Sequence, residues 1–128
     1  MDQRKRVIYI GSSQAEVNEL PDAVREDVLD DLAFVAIGRR NVPVDAIQMV
    51  GEFSGVMELR KPYDDNTYRT FYVAKWSTGI YVLYSQIKKS NENREMTPQD
   101  RKRLARRLSV AKQTHEQLSA EKRKGNRR

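Results

Sequence analysis

Three β-rich stretches follow one another in this chain, joined by links of only a few residues, and nothing else in the sequence constrains the fold as much. Gly55-Val-Met-Glu-Leu-Arg60 alternates Val56, Glu58 and Arg60 against Met57 and Leu59. Tyr63-Asp-Asp-Asn-Thr67 is a turn cluster. Tyr68-Arg-Thr-Phe-Tyr-Val-Ala-Lys75 reads as the second strand and Trp76-Ser-Thr-Gly79 as a turn. Gly79-Ile-Tyr-Val-Leu-Tyr-Ser-Gln-Ile87 reads as the third. Links this short favour an antiparallel meander.

The flanks read as one more strand and three helical segments. Val7-Ile-Tyr-Ile10 is β-branched and aromatic and ends at Gly11. Ser13-Gln-Ala-Glu16 has the capping-box pattern, with Ser13 as N-cap. Leu20-Pro21 interrupts that helix, and a second begins with the proline in its first turn. Val24, Val28, Leu32, Val35 and Ala36 recur at helical spacing. Gly38 sits where a C′ glycine belongs, and Arg39-Arg40 follow the negative end of the helix dipole. Residues 39–53 read as a connection with one short turn of helix. Thr97-Pro98 restarts a helix, with Leu104, Leu108, Ala111 and Leu118 on one face.

The expected architecture is therefore α+β. A small antiparallel sheet, made of the N-terminal strand and the three-strand meander, packs against an N-terminal helical hairpin and a C-terminal helix. One domain spans 1–118. The basic tail 119–128 is expected to be disordered, because nothing apolar is there to bury.

Composition removes several functions. The 128 residues contain no cysteine, so disulfides, thiolate zinc sites and a cysteine nucleophile are excluded. The single histidine, His115, excludes a His-only metal site. No apolar run approaches the length of a membrane span, and the Val7–Ile10 run is too short for a signal peptide. A cytoplasmic protein without membrane partner or cofactor is the expectation. The net charge of +6 is unevenly placed. Residues 99–128 hold eleven bases and three acids, whereas 16–31 hold seven acids and one base. Such asymmetry points to nucleic acid or an acidic partner.

The cations in the sheet are few but well placed. Arg60 ends the first meander strand, Arg69 opens the second, and Lys88 and Lys89 end the third. Meander topology returns all four to one rim, with Tyr68 and Tyr84 beside them. Clustered cations meet phosphate and aromatic rings stack on bases, which suits RNA. Such a rim could also cleave RNA through its own 2′-OH. Crowded lysines depress one another's pKa, so one could act as base. Arginine stays charged and stabilises the growing charge on phosphate.

Four stretches in order carry a resemblance to a known family: Gly55-Val-Met-Glu-Leu-Arg60, Tyr68-Arg-Thr-Phe-Tyr-Val-Ala74, Ile80-Tyr-Val-Leu-Tyr-Ser-Gln-Ile-Lys-Lys89 and Thr97-Pro98. They resemble the RelE/HigB-like toxins of type II toxin–antitoxin systems, in their phage-related HigB-like branch. Leu20-Pro21 with Val24-Arg25 resembles that family's first helical hairpin. The resemblance covers about residues 7–115. It implies a ribosome-dependent endoribonuclease that cuts mRNA without a metal and inhibits translation. It also implies a cognate antitoxin of helix-turn-helix type, with operator DNA bound only through the antitoxin complex. Arg60, Arg69, Lys88 and Lys89 match the family's basic positions and are the implied catalytic residues. Tyr84 stands where the third motif usually carries a histidine. Glu58 stands where some relatives carry a lysine.

The remaining candidates have plainer alternatives. Tyr68, Tyr84, Arg101 and Arg103 are candidate RNA-binding residues, but a solvated cationic helix face would look the same. Glu58 reads as a partner for Arg60 at i+2 before a general base. His115 reads as a partly buried helix residue, and Trp76 as a turn residue packing on the core edge. Tyr72 and Tyr81 read as packing residues. The competing function is a catalytically inactive relative, from a phage or mobile element, that binds nucleic acid or a partner protein.

Overall fold

The computed structural model describes residues 4–38, 41–89 and 96–125, with the backbone alone at 87–89. Five strands and three helices form in the order β1 (Val7–Tyr9), α1 (Ser13–Asn18), α2 (Asp22–Ile37), β2 (Ala46–Gln48), β3 (Met57–Tyr63), β4 (Asn66–Val73), β5 (Ile80–Lys89) and α3 (Pro98–Gly125). They make one sheet of order β1-β5-β4-β3-β2. The α+β class and the β3–β4–β5 meander stand as read from the sequence. Tyr63 pairs with Asn66, so β3 and β4 are joined by Asp64 and Asp65 alone. Both have positive φ, 52° and 65°, as a type I′ hairpin turn requires. Aspartate tolerates that region better than most residues.

Two features of the sheet differ from the expectation. The N-terminal strand joins parallel to β5, Val7 opposite Ile80, so the sheet is mixed rather than wholly antiparallel. Close approach at Gly79 helps seat it there. A Cβ at that position would lie 2.8 Å from Ile8 Cδ1 and 3.0 Å from the Arg6 carbonyl oxygen. The connection 39–53 also holds a strand. β2 pairs antiparallel with β3, and the helical turn shrinks to a 3-10 turn at Gly51–Phe53. Three residues are too few for alternation to show in sequence.

Helix ends differ as well. Ser13 and Glu16 do not form a capping box: the N-cap is Ser12, without a side-chain bond. Ser13 Oγ instead donates to the Val82 carbonyl at 3.0 Å, and Glu16 Oε1 accepts from the Ser85 amide at 3.1 Å. Both residues tie α1 to β5. Gly38 is extended, with φ −157°, not the left-handed C′ residue expected. Two open carbonyls at the end of α2 are met from elsewhere, Ala36 by the Lys5 amide and Phe34 by Asn41 Nδ2, each at 2.8 Å. Arg39 and Arg40 lie outside the described residues. Thr97 does cap α3, its Oγ1 accepting from the Asp100 amide at 3.0 Å. That helix continues to Gly125, so 119–125 are helical rather than an irregular tail. Alanine, glutamate, lysine and arginine there are good helix formers.

The helices cover both faces of the sheet. Val17 and Leu20 with Val24, Val28, Leu32, Val35 and Ala36 of α2 pack on Leu59, Tyr72, Ile80 and Val82. On the other face Leu104 and Ala111 of α3 pack on Phe71, Val73, Tyr81 and Leu83. Each such buried valine, leucine or isoleucine contributes about 1.5–3 kcal/mol. Lys61 fastens α2 to β3, with Nζ 2.5 Å from Asp31 and 2.7 Å from Asp45. Burial alone would lower its pKa, but hydrogen bonds and charge from Asp31 and Asp45 hold it above the ordinary lysine value. Among the described residues no helix is long and apolar enough to cross a membrane.

Gly79→Val should force Ile8 and the Arg6 backbone apart. A loss of about 1–3 kcal/mol in urea unfolding is expected.

Candidate functional site

Arg60 and Arg69 are direct cross-strand partners in the β3–β4 pair. Like charges so placed repel. Glu58, two residues before Arg60, lies on the same face of β3 and answers both. Arg69 Nε donates to Glu58 Oε2 in a short buried ion pair. Arg60 Nε donates to the same oxygen at 3.0 Å, and Arg60 Nη2 reaches Oε1 at 3.4 Å. The side chains of Glu58 and Arg69 are 4% and 6% exposed, whereas Arg60 is 45% exposed. One guanidinium is thus fixed inside and one stands at the surface. Arg69 Nη1 is buried without a hydrogen-bond partner. Its Cζ also lies 5.4 Å from the Phe71 ring centroid.

A register shift carries the site to the last helix. Tyr72 pairs with Val82 but Phe71 pairs with Tyr84, leaving Leu83 as the extra residue of a bulge. Leu83 and Tyr84 therefore both join the cluster packed against α3. Tyr84 stacks on Phe71, with centroids 6.1 Å apart and planes 13° from parallel. Its hydroxyl donates to Asp100 Oδ1 at 3.1 Å and accepts from Arg103 Nη1 at 2.8 Å. The guanidiniums of Arg103 and Arg107 lie 5.1 and 5.3 Å from its ring centroid. Arg107 also donates to Glu16 Oε1 at 2.8 Å and to the Leu83 carbonyl at 3.0 Å. Burial first, then the Asp100 charge, raises the Tyr84 pKa above the ordinary phenol value of 10.0, with Arg103 pulling the other way. The phenol therefore stays protonated near neutral pH.

The expected residues are not all brought together. Arg60, Arg69, Tyr84 and Arg103 come together, joined through Glu58 and Phe71. Lys88 and Lys89 stand at the same end of the sheet, their backbone opposite Thr67 and Asn66 in the register that sets Arg69 opposite Gln86. Tyr68 packs toward the α1–α2 core, but it lines a cavity of about 500 Å³ together with Leu20, Tyr84 and Gln86. Arg101 is apart and exposed, paired with Glu52 at 2.7 Å. His115 is half-buried, with Nδ1 3.0 Å from Thr78 Oγ1 and its ring stacked on Trp76. Trp76 also meets Tyr81 edge-on, so it packs on the core edge.

Sequence reasoning did not reach Phe71, Asp100 or the Glu16–Arg107 pair. The bulge that joins them leaves no mark in the sequence. Among the described residues no group of three or more His, Cys, Asp or Glu is placed to hold a metal ion.

The family model described as phage derived protein Gp49-like (DUF891) matches residues 15–109. Among solved structures, the chain is similar to the toxin–antitoxin complex RelBE2 from Mycobacterium tuberculosis. Identity is 16% and the TM-score 0.44, over 69% of this chain and 94% of that one. No curated protein matches the sequence.

Glu58→Ala leaves two arginines facing one another and should cost about 3–5 kcal/mol in urea unfolding. Glu58→Leu with Arg69→Met removes the buried charges together and should recover much of that loss. For Tyr84 the folded pKa is the higher one, so its contribution to stability is full below pH 10.0 and is lost as pH rises through the folded value. Difference absorbance titration against Tyr84→Phe should place its ionisation above 10.0. Asp100→Asn should lower that value, and Arg103→Ala should raise it.

Proposed function

The chain belongs to the phage-derived Gp49-like family, and from that premise, together with the resemblance of its sequence motifs to RelE/HigB-like toxins, we propose that it cleaves mRNA on the ribosome and so arrests translation. The observation that carries the reading is the arginine pair. Two guanidiniums share one carboxylate, which leaves the cluster cationic, and one of them is 45% exposed at the rim.

The chemistry proposed is transesterification through the RNA 2′-OH. That oxygen attacks the adjacent phosphorus, the bond to the 5′-oxygen breaks, and a 2′,3′-cyclic phosphate and a 5′-hydroxyl result. Arg60 contacts the phosphate as its charge grows. Arg69, held by Glu58, sets the position of that charge. Removing one such stabilising donor costs catalysts about 100- to 1,000-fold in rate. Tyr84 is too basic to take the 2′-OH proton near neutral pH, since its phenol remains protonated. The base that takes the 2′-OH proton is assigned to Lys88 or Lys89 at the end of β5, and the leaving 5′-oxygen takes a proton from that ammonium or from water. Arg103 is proposed to contact the RNA backbone beside Tyr84, and Tyr68 to face a base across the neighbouring cavity. Arg101, paired with Glu52 outside the cluster, is proposed to make a peripheral contact.

The partners proposed are mRNA, ribosomal RNA and a cognate antitoxin of helix-turn-helix type, operator DNA being met only through that complex. The site of action proposed is the cytoplasm.

Induced expression in a bacterial host should stop growth, and 5′ ends of cellular mRNA should map in phase with codons. Arg69→Ala and Lys88→Ala should each relieve the arrest and reduce cleavage by about 100-fold or more. RNA binding by folded protein with no new 5′ ends would replace this reading with that of an inactive binding relative.

A further inference from the structure

Two buried donors stand bare within the arginine site. Arg69 Nη1 and Gln86 Nε2 are covered from solvent without a hydrogen-bond partner, and among the described residues no other buried side-chain donor is left so. Leaving a buried donor unmade is costly, and more so on a charged group. Native folds therefore supply a partner at nearly every such atom. Glu58 is already committed elsewhere. Its Oε2 accepts from Arg69 Nε and Arg60 Nε, and its Oε1 from Arg60 Nη2.

Register makes the two bare donors neighbours. Arg69 of β4 stands directly opposite Gln86 of β5. Cross-strand partners share a face of the sheet, with Cβ atoms about 4.5–5.5 Å apart. The next pair on that face, two residues along each strand, is Phe71 with Tyr84, and their rings stack. Gln86 thus belongs to the face that carries Glu58 and both arginines. β3 lies on one side of β4 and β5 on the other. A guanidinium is a planar fork whose Nη1 edge faces away from its Nε–H. Arg69 gives Nε to Glu58 of β3, so its Nη1 edge is turned toward β5.

Two donors cannot satisfy one another, but an amide carries an acceptor as well. A half-turn of the Gln86 carboxamide about its last torsion exchanges Nε2 for Oε1, and that torsion is broad and roughly two-fold. Gln86 is half-buried and lines the cavity beside Tyr68, which gives the amide nitrogen a side to turn to.

We propose that Gln86 is a positioning residue for Arg69: its carboxamide oxygen accepts from Nη1, so that Glu58 and Gln86 hold the guanidinium by its two edges. A neutral acceptor suits the site. Two guanidiniums against one carboxylate leave one positive charge in excess. A second carboxylate at position 86 would hold Arg69 and cancel that excess, whereas an amide holds it and keeps the charge for phosphate. The inference rests on the cleavage reading only for its effect on rate; the hydrogen bond is a property of the free protein.

The test reads the hydrogen bond and the rate separately. In ¹⁵N spectra of the free full chain, Gln86→Met, near in size but without the acceptor, should speed exchange of the Arg69 Nη1 protons with water by about tenfold or more. Gln86→Glu should keep it slow. Arg107 Nη1, held by Glu16 and the Leu83 carbonyl, is the control for folding and should be unchanged in both variants. On translating ribosomes Gln86→Met should lower kcat by about tenfold or more with KM within about twofold, since Arg69 is misplaced rather than removed. Gln86→Glu should keep kcat and raise KM several-fold, because the excess charge is gone. Slow exchange surviving in Gln86→Met would overturn the proposal. So would a Gln86→Met enzyme with the wild-type kcat, or a Gln86→Glu protein that exchanges as fast as Gln86→Met. If the wild type cleaves nothing, the cleavage reading falls alone, and the exchange measurement still decides whether Gln86 holds Arg69.

Discussion

A single buried carboxylate allows two arginines to face each other across adjacent strands. At an effective dielectric constant near 20, two unit charges 4 Å apart interact by about 4 kcal/mol. Arg60 and Arg69 alone would push their strands apart by a cost of that order. Glu58 attracts both, so two attractions stand against one repulsion. The arrangement depends in turn on register. Asp64 and Asp65 close the hairpin with two residues, and a one-residue slip would send Arg60 and Glu58 to the opposite face from Arg69.

The bulge at Leu83 extends this constraint from the sheet to the helices. Because the strand gains one residue there, Tyr84 stands beside Phe71. Its hydroxyl is then within reach of Asp100 and Arg103 on α3. Arg107, one turn further on, reaches Glu16 of α1 across the middle of β5, beside Leu83 and Ser85. α1 and α3 lie on opposite faces of the sheet, so this ion pair closes a loop around the strand that carries Tyr84. The site's side chains thus stand on three strands and two helices, joined through polar contacts that are buried or partly buried.

Local pattern made the meander, the apolar face of α2 and the Thr97 cap legible, because each is written in residues close in sequence. The Glu58–Arg60 pair was legible for the same reason, since i and i+2 share a strand face. Arg69 as the second partner of Glu58 required the hairpin register, which the turn cluster Tyr63–Thr67 did not fix and which the two-residue turn at Asp64 and Asp65 sets. Ser13 and Glu16 were misread as a capping box because the pattern fits one, whereas the fold uses both as tethers to β5. β2 was too short to show. The parallel placement of β1 and the bulge at Leu83 both depend on contacts made far along the chain, and neither has a local signature. Tyr84 shows the limit most clearly. Its position in the third motif was readable, but its burial against Phe71 and α3 was not.

The charge asymmetry changes meaning once the contacts are known. Two acids of the 16–31 segment are half-buried counterions rather than open surface charge: Glu16 pairs with Arg107, and Asp31 with Lys61. Asp22, Glu26, Asp27 and Asp30 remain exposed on α2. The acidic segment therefore serves as internal counterion on one side and as a negative outer face on the other. That outer face repels nucleic acid, and it covers one side of the sheet. Cationic surface is left at the two ends of the strands and along α3. A polyanion approaching this molecule is repelled on the α2 side, so one acidic segment divides its work: Glu16 and Asp31 answer the fold's own cations, and the exposed acids of α2 set the side from which negative charge is turned away.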